Sequence, residues 1–207
     1  RSIINIISSV MNYYRQHFEY PTLPNLDKHL CKHYKNVILV VLDGMGTDMI
    51  LHNLPEDNFF RRNFVQNLTS VFPSATAAAM TSFYTGVSPN EHAWLGWSLF
   101  FKEFCRTVDV YTNLDTYTKQ SAAITSVAEF VMPYESIYKS IKSSTIGRVQ
   151  PFTIAQSKVQ IPEKGNLHKV ADRFDRVCEL IEKICDTKQH TFPYVQWCSP
   201  DDTAHTT

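Results

Sequence analysis

The sequence predicts an α/β protein in which a mostly parallel sheet is sandwiched by helices. Residues 37–42 (VILVVL) form an apolar run, rich in β-branched residues and without polar alternation, which is typical of a strand buried on both faces of a helix-covered parallel sheet. Strand-like and helical patterns then alternate along the chain. The 207 residues, 43% of them hydrophobic and 19% charged, suffice to bury a core.

The first half of the chain gives the clearest elements. Apolar spacing predicts a helix over residues 2–14 with Ser2 as its N-cap. The strand at 37–42 ends in a turn at Asp43-Gly44, and residues 47–68 predict a helix followed by a loop. Residues 69–72 are compatible with a short strand. The run 77–80 (AAAM) begins a strong helix that Gly86 and Pro89 terminate.

The second half gives weaker signals until its last segments. Residues 108–111 predict a strand or hairpin arm, and a helix is expected near 134–142. Residues 115–165 are a candidate insertion or cap segment over the active face. The stretch 167–185 predicts one long amphipathic helix, with Val170, Phe174 and Val177 on its apolar face. Residues 192–198 then predict a strand that Ser199-Pro200 breaks.

Charge and cysteine content exclude some classes of function. The formal net charge is zero, so no basic field exists to hold a nucleic acid polymer. No apolar run approaches the ~20 residues of a membrane helix, and no signal peptide is visible. Five cysteines without a Cys-x-x-Cys pair make a disulfide framework improbable and favour a reducing, cytoplasmic location. The sequence does not indicate an oligomeric state.

Candidate functional residues follow three predicted strands. Ligands of open parallel sheets gather at the carboxyl ends of the strands, which directs attention to Asp43, to Thr76 and to the pair Asp201 and His205. Each has an ordinary alternative: Asp43 as a turn residue, Thr76 or Ser74 as a helix cap, and Asp201-x-x-x-His205 as an exposed pair. Asp202 is a rival of Asp201 as the metal ligand. Together they predict one site where a divalent cation activates a hydroxyl.

Three motifs, in order, resemble the nucleotide pyrophosphatase/type I phosphodiesterase family of the alkaline phosphatase superfamily. The first is the run 37–46 (VILVVLDGMG), which is similar to the family's first metal-binding strand. The second is Phe72-Pro-Ser-Ala-Thr76, followed by Thr85-Gly86 and by PNEH at 89–92. The third is Pro200-Asp201-x-x-x-His205. The family's nucleophile lies ten positions before the glycine, which selects Thr76 over Ser74.

The resemblance implies an alkaline phosphatase-like fold, a small phosphate-ester substrate and two divalent metal ions, usually zinc. Asp43 and Thr76 would contact one ion, and Asp201 and His205 the other. Thr76 would attack phosphorus and form a covalent phospho-threonine intermediate. The phosphodiester or nucleotide pyrophosphate would then be hydrolysed. Trp97 aligns with an asparagine that binds a phosphoryl oxygen in extracellular members, so it is a candidate substrate-binding residue.

The resemblance also implies ligands that these 207 residues do not contain. The family completes its two sites with an Asp-His pair and a further histidine downstream of the third motif. We therefore expect residues 1–207 to be the N-terminal part of the catalytic domain, apparently incomplete at its C-terminus, with weak metal affinity and little activity alone.

Alternatives from other classes are less well supported by the residues. Haloacid dehalogenase phosphatases need an aspartate nucleophile where this chain has Val41. Sulfatases need a Cys/Ser-x-Pro-x-Arg setting, which is missing around Thr76. The remaining alternative is a non-catalytic α/β binding module, or an inactive fragment of the same fold.

Overall fold

The computed structural model describes residues 1–141, 143–151 and 167–206. The strands are β1 (Leu39–Leu42), β2 (Ser98–Phe101), β3 (Arg106–Asp109), β4 (Leu114–Asp115), β5 (Thr145–Pro151), β6 (Leu167–Ala171) and β7 (Thr191–Trp197). The helices are α1 (Ile4–Tyr13), α2 (Pro24–His29), α3 (Thr47–Asn53), α4 (Phe59–Arg62), α5 (Thr76–Thr85), α6 (Pro89–His92), α7 (Val127–Val131), α8 (Phe174–Cys185) and α9 (Asp201–Thr206), with a 3₁₀ turn at Ile137–Ser140.

The main sheet has four strands in the order β1-β7-β5-β6, and every neighbouring pair is parallel. Val41 of β1 lies opposite Gln196 of β7, and Val149 of β5 lies opposite Val195. Because the strands run the same way, their carboxyl ends share one edge and their amino ends share the other. The predicted mostly parallel sheet is confirmed.

Helices cover the two faces of this sheet, as predicted for a sandwich. On one face α1 and α5 pack against Ile146, Phe192 and Tyr194 in the largest apolar cluster. On the other face α8 packs against Val149 and Val195. Alternate residues of each strand therefore enter different cores, which explains why β7 is buried from Thr191 to Gln196.

The antiparallel strands β2, β3 and β4 form a second sheet. It has its own apolar cluster, in which Trp94, Val108 and Val110 are fully buried. Asn113 closes the adjoining loops: its amide donates to the carbonyls of Ala123 (3.0 Å) and Thr125 (2.9 Å) and accepts from the N–H of Val127 (2.9 Å). The expected strand at 108–111 is thus the hairpin arm β3, two residues earlier in its bounds.

The helix around residues 77–80 is confirmed with its predicted end. α5 begins at Thr76, and its C-cap Gly86 adopts a left-handed conformation with φ +75°. The positive φ favours glycine here, and a side chain at this position would also have to displace the ring of Phe18.

Two expectations near the N-terminus are wrong. Ser2 does not cap α1, because Ile3 occupies the N-cap position and makes no side-chain cap bond. The N–H of Ser2 instead donates to Asn5 Oδ1 (2.7 Å). Residues 69–72 form no strand, since only Thr69 pairs, in a single bridge to Ser2. Both expectations concern the same contact, the bridge between Ser2 and Thr69, and a local sequence pattern cannot reveal such a distant pairing.

The expected long helix at 167–185 is two elements. Its first part is β6, in which Val170 lies opposite Gln150 of β5, and only α8 is helical. The parallel partner strand overrides the helical spacing, because tertiary pairing outweighs a weak local propensity. The helix expected near 134–142 is only the 3₁₀ turn Ile137–Ser140, and residue 142 lies outside the described residues.

The strand at 37–42 is shorter and less buried than predicted. β1 spans Leu39–Leu42 and lies at an edge of the sheet within the described part of the chain. Val40 is 41% exposed, because α8 covers the neighbouring strands but does not reach β1 on that face. The expectation of burial on both faces is therefore wrong for β1.

Part of the segment 115–165 belongs to the main sheet. β5 lies between β7 and β6, so residues 145–151 are not an insertion. For residues 116–141 and 143–144 a cap role stays a prediction, and residues 152–165 lie outside the described residues. No helix in the described ranges has the length and apolar character needed to cross a bilayer.

Candidate active site

The candidate residues from the three motifs meet at the carboxyl edge of the main sheet. A cavity of about 440 Å³ opens there. It is lined by Asp43, Thr76, Trp97, Tyr111, Thr112, Gln196, Cys198, Asp201, Asp202 and His205. All five residues singled out from the sequence thus face one cavity, although more than 150 positions separate Asp43 from Asp201.

Two strand-end loops hold the acidic side of this cavity together. The N–H of Asp43 donates to the carbonyl of Trp197 (2.9 Å), and the N–H of Asp201 donates to the carbonyl of Asp43 (3.1 Å). Gly44 has φ +76°, and a β-carbon on it would lie 2.9 Å from both Cα and N of Asp201. Only glycine permits this close approach, so the Asp-Gly turn positions Asp43 beside Asp201.

The electrostatic state of Asp43 reflects this crowding. Burial raises the pKa of its carboxyl, and the charge of Asp201 raises it further. A hydrogen bond from the Thr76 hydroxyl acts in the opposite direction and lowers the pKa. Asp43 is therefore a half-buried carboxylate with a like-charged neighbour, an arrangement that a cation would stabilise.

Thr76 is the first residue of α5, but it does not cap that helix. The N-cap is Ala75, which makes no side-chain cap hydrogen bond. The alternative in which Thr76 or Ser74 is an ordinary cap is therefore wrong. Thr76 instead lines the cavity with Asp43, and its side chain lowers the pKa of that carboxyl. The uncapped amino end of a helix attracts anions through its free N–H groups and its dipole.

Asp201 and His205 lie on one face of α9, as their spacing of four predicts. His205 Nε2 is 3.5 Å from Asp201 Oδ2. The side chain of Asp201 is 34% exposed and that of His205 is 79% exposed, so the pair stands at the open rim of the cavity. Asp202 also lines the cavity and remains a rival of Asp201.

The residues present match a divalent metal in donor type but not in number. Carboxylate and imidazole groups are the ligands that zinc and similar ions prefer. Within the described residues, however, no group of three or more His, Cys, Asp or Glu side chains is close enough to hold an ion. Each predicted ion therefore has only two candidate ligands in the cavity: Asp43 and Thr76 for one ion, Asp201 and His205 for the other.

Two aromatic residues, Trp97 and Tyr111, also line the cavity. Trp97 is 43% exposed, and its ring lies 5.7 Å from that of Tyr111, measured between centroids. Trp94, by contrast, is fully buried, and its Nε1–H donates to the carbonyl of Met132 (3.0 Å). Trp97 is therefore the tryptophan available to a ligand, and Trp94 is part of the core.

Sequence reasoning missed several residues of the cavity. Cys198 follows β7 directly, so the strand-end rule that selected Asp43 could also have found it. Gln196 is the last buried residue of β7. It lies opposite Val41 of β1, and its place in the cavity depends on this parallel pairing, which the sequence does not reveal. Tyr111 and Thr112 come from the loop after β3, and no local signal indicates that this loop forms a wall.

These features define a class of protein: an α/β fold with acidic, hydroxyl and imidazole groups at the carboxyl edge of a parallel sheet. The family model described as type I phosphodiesterase / nucleotide pyrophosphatase matches residues 37–205. The chain belongs to this family of hydrolases, which confirms the resemblance. No curated protein and no solved structure matches the chain.

Proposed function

We propose that the cavity hydrolyses phosphate esters, either phosphodiesters or nucleotide pyrophosphates, with Thr76 as the nucleophile. One observation carries the proposal: Thr76, at the uncapped amino end of α5, lines the same cavity as Asp43, and its side chain lowers the pKa of the Asp43 carboxyl. A hydroxyl beside a proton acceptor and an anion-attracting helix end is suited to attack on phosphorus.

The residues have the following roles in the proposal. The N–H groups at the start of α5 hold a phosphoryl oxygen. Thr76 Oγ forms a bond to phosphorus while the bond to the leaving-group oxygen breaks, which gives a covalent phospho-threonine. The hydroxyl proton passes to solvent, and Asp43, which lines the cavity with Thr76, would hold the ion that favours this ionisation. Water then attacks the phosphorus and releases Thr76.

Two divalent ions, zinc in the first instance, complete the proposal. Asp43 and Thr76 would hold one ion, and Asp201 and His205 the other. When bound, such ions supply positive charge for the phosphoryl oxygens and favour ionisation of the hydroxyl. The like-charged pair Asp43 and Asp201 supports this assignment, because a cation would relieve the repulsion that raises the pKa of Asp43.

Trp97 is the proposed contact for the leaving group. Its exposed indole lines the same cavity as the acidic groups and offers a flat apolar surface. A planar leaving group such as a nucleoside base or an aryl ring would stack on it. We expect Trp97→Ala to raise KM for aryl esters more than it lowers kcat.

A second candidate function is a non-catalytic binding module. The absence of any three-donor metal group among the described residues favours it. In that case the cavity would bind a phosphorylated ligand without turnover, and Thr76 would have only a structural role.

A single-turnover experiment with matched variants tests the proposed function. The chain is incubated with excess zinc and bis(4-nitrophenyl) phosphate, quenched in acid, and measured as intact protein by mass spectrometry. We expect a covalent phosphoryl adduct on the unmodified chain and on Ser74→Ala, and none on Thr76→Ala. Ser74 is a close control, because it is exposed and lies two residues before Thr76. An adduct that persists in Thr76→Ala, or no adduct in any of the three proteins, would contradict the proposal.

A further inference from the structure

A second cavity, of about 300 Å³, lies at the amino edge of the main sheet. It is formed by the end of α1, the segment before β1, the residues before β5, and His190 before β7. The seven residues of β7 separate it from the candidate active site by about 20 Å, at roughly 3.3 Å per residue. It is therefore distinct from the cavity that holds Thr76.

Hydrogen bonds fix one wall of this second cavity. The hydroxyl of Tyr13 accepts from the N–H of Tyr34 (2.9 Å) and donates to the carbonyl of the same residue (3.2 Å). His190 Nδ1 is 3.2 Å from that carbonyl, and since a carbonyl only accepts, Nδ1 carries the hydrogen. The imidazole is thus held in one orientation between the loop and β7.

Arg15 stands at the rim of the cavity in an unusual backbone conformation. Tyr14 is the C-cap of α1, and the next residue, Arg15, has φ +58°. The N–H of Gln16 donates to the carbonyl of Met11 (2.9 Å), which closes a helix-ending motif whose left-handed position is usually glycine. An arginine at this position costs stability relative to glycine.

The lining of the cavity has basic groups and no acidic ones. Arg15, His33 and His190 contribute the basic groups, and none of the eight lining residues is an aspartate or glutamate. Within the part of the chain that the structure describes, Arg15 makes no ion pair. Its guanidinium therefore has donors available in the fork geometry that matches two phosphate oxygens.

We propose that this second cavity binds a small phosphorylated molecule. Arg15 holds the phosphate oxygens, the imidazoles of His33 and His190 contact the same group, and the rings of Tyr13 and Tyr34 pack against the organic part. The size of the cavity is at the lower end of small-ligand sites, which suits a single phosphorylated ring.

The experiment is a calorimetric titration of the EDTA-treated chain with phenyl phosphate. EDTA removes metal from the first cavity, and Arg15 variants change only the second cavity, so they show which of the two cavities binds the ligand. We expect one binding site and competition by inorganic phosphate, with no binding of phenol. Arg15→Gly should weaken the affinity tenfold or more, which corresponds to about 1.4 kcal/mol per tenfold. Arg15→Lys should weaken it less, and Arg62→Gln, which removes an exposed arginine elsewhere, should change nothing.

The design separates loss of binding from loss of folding. Glycine suits φ +58° better than arginine does, so Arg15→Gly is expected to keep or raise the unfolding temperature. Phenyl phosphate binding that is equal in Arg15→Gly and in the unmodified chain, phenol binding as tightly as phenyl phosphate, or no binding at all would each overturn the proposal. Hydrolysis is not involved, so the result is independent of the function proposed for Thr76.

Discussion

Gly44→Ala tests how the two strand-end loops are held together. Gly44 has φ +76°, and an added β-carbon would meet the backbone of Asp201 at 2.9 Å. These contacts are with Cα and N, so no flexible side chain can move away to relieve them. The turn after β1 must shift away from α9, and the hydrogen bond from the Asp201 N–H to the Asp43 carbonyl (3.1 Å) must lengthen.

The expected cost combines three contributions. A left-handed backbone costs a residue with a β-carbon about 1–2 kcal/mol. Loss of the Asp43–Asp201 backbone hydrogen bond costs about 0.5–1.5 kcal/mol. The lower entropy of alanine in the unfolded chain returns about 0.4–1 kcal/mol. The net loss is about 2 kcal/mol, which for a chain of this size lowers Tm by roughly 4–8 °C.

The assay is thermal unfolding followed by circular dichroism in EDTA. Gly96→Ala is the control, because the nearest atom to its β-carbon would be Leu99 Cδ2 at an ordinary 3.9 Å. We expect Gly96→Ala to change the free energy of unfolding by less than about 0.5 kcal/mol. Equal Tm values for the two variants would refute the close approach of the loops at Gly44.

Two further predictions concern pH. Burial lowers the pKa of His92 to about 4 from its usual 6.5, so the unfolded chain takes up a proton that the native state resists. The free energy of unfolding should therefore fall by up to about 3 kcal/mol as the pH drops from about 6.5 to about 4. In denaturant titrations over the same pH interval, His92→Asn should not show this loss. Burial and Asp201 raise the pKa of Asp43, so its ionised form destabilises the metal-free fold. Asp43→Asn should raise Tm at neutral pH, and this gain should vanish below about pH 3.9, the ordinary aspartate pKa; a gain that persists in acid would contradict the assignment.

The sequence predicted the place of the site better than its walls. Asp43, Thr76, Asp201 and His205 were found because strand ends of a parallel sheet share one edge, a rule that needs only the order of elements. Tyr111 and Thr112 reach the cavity from the antiparallel sheet, and their placement depends on how that sheet packs beside α5. Local pattern contains no information on such packing.

The errors in the fold have the same origin. Residues 167–171 have helical spacing but form β6, because β5 offers them a parallel partner. Val40 has the composition of a buried strand but is 41% exposed, because no described helix covers β1 on that face. Ser74 and Thr76 both suit a helix cap, yet Ala75 takes that position and Thr76 lines the cavity with Asp43. In each case a distant partner determines the outcome.

Zinc titration of the chain and of matched variants tests the central claim most directly, namely that the converging side chains bind divalent cations. Asp201 and His205 stand 3.5 Å apart at the rim of the cavity. We expect zinc to bind, and we expect Asp201→Asn and His205→Ala each to weaken its affinity at least tenfold, whereas His17→Ala, which removes an exposed histidine elsewhere, leaves it unchanged. The same isotherm for all four proteins would contradict the account.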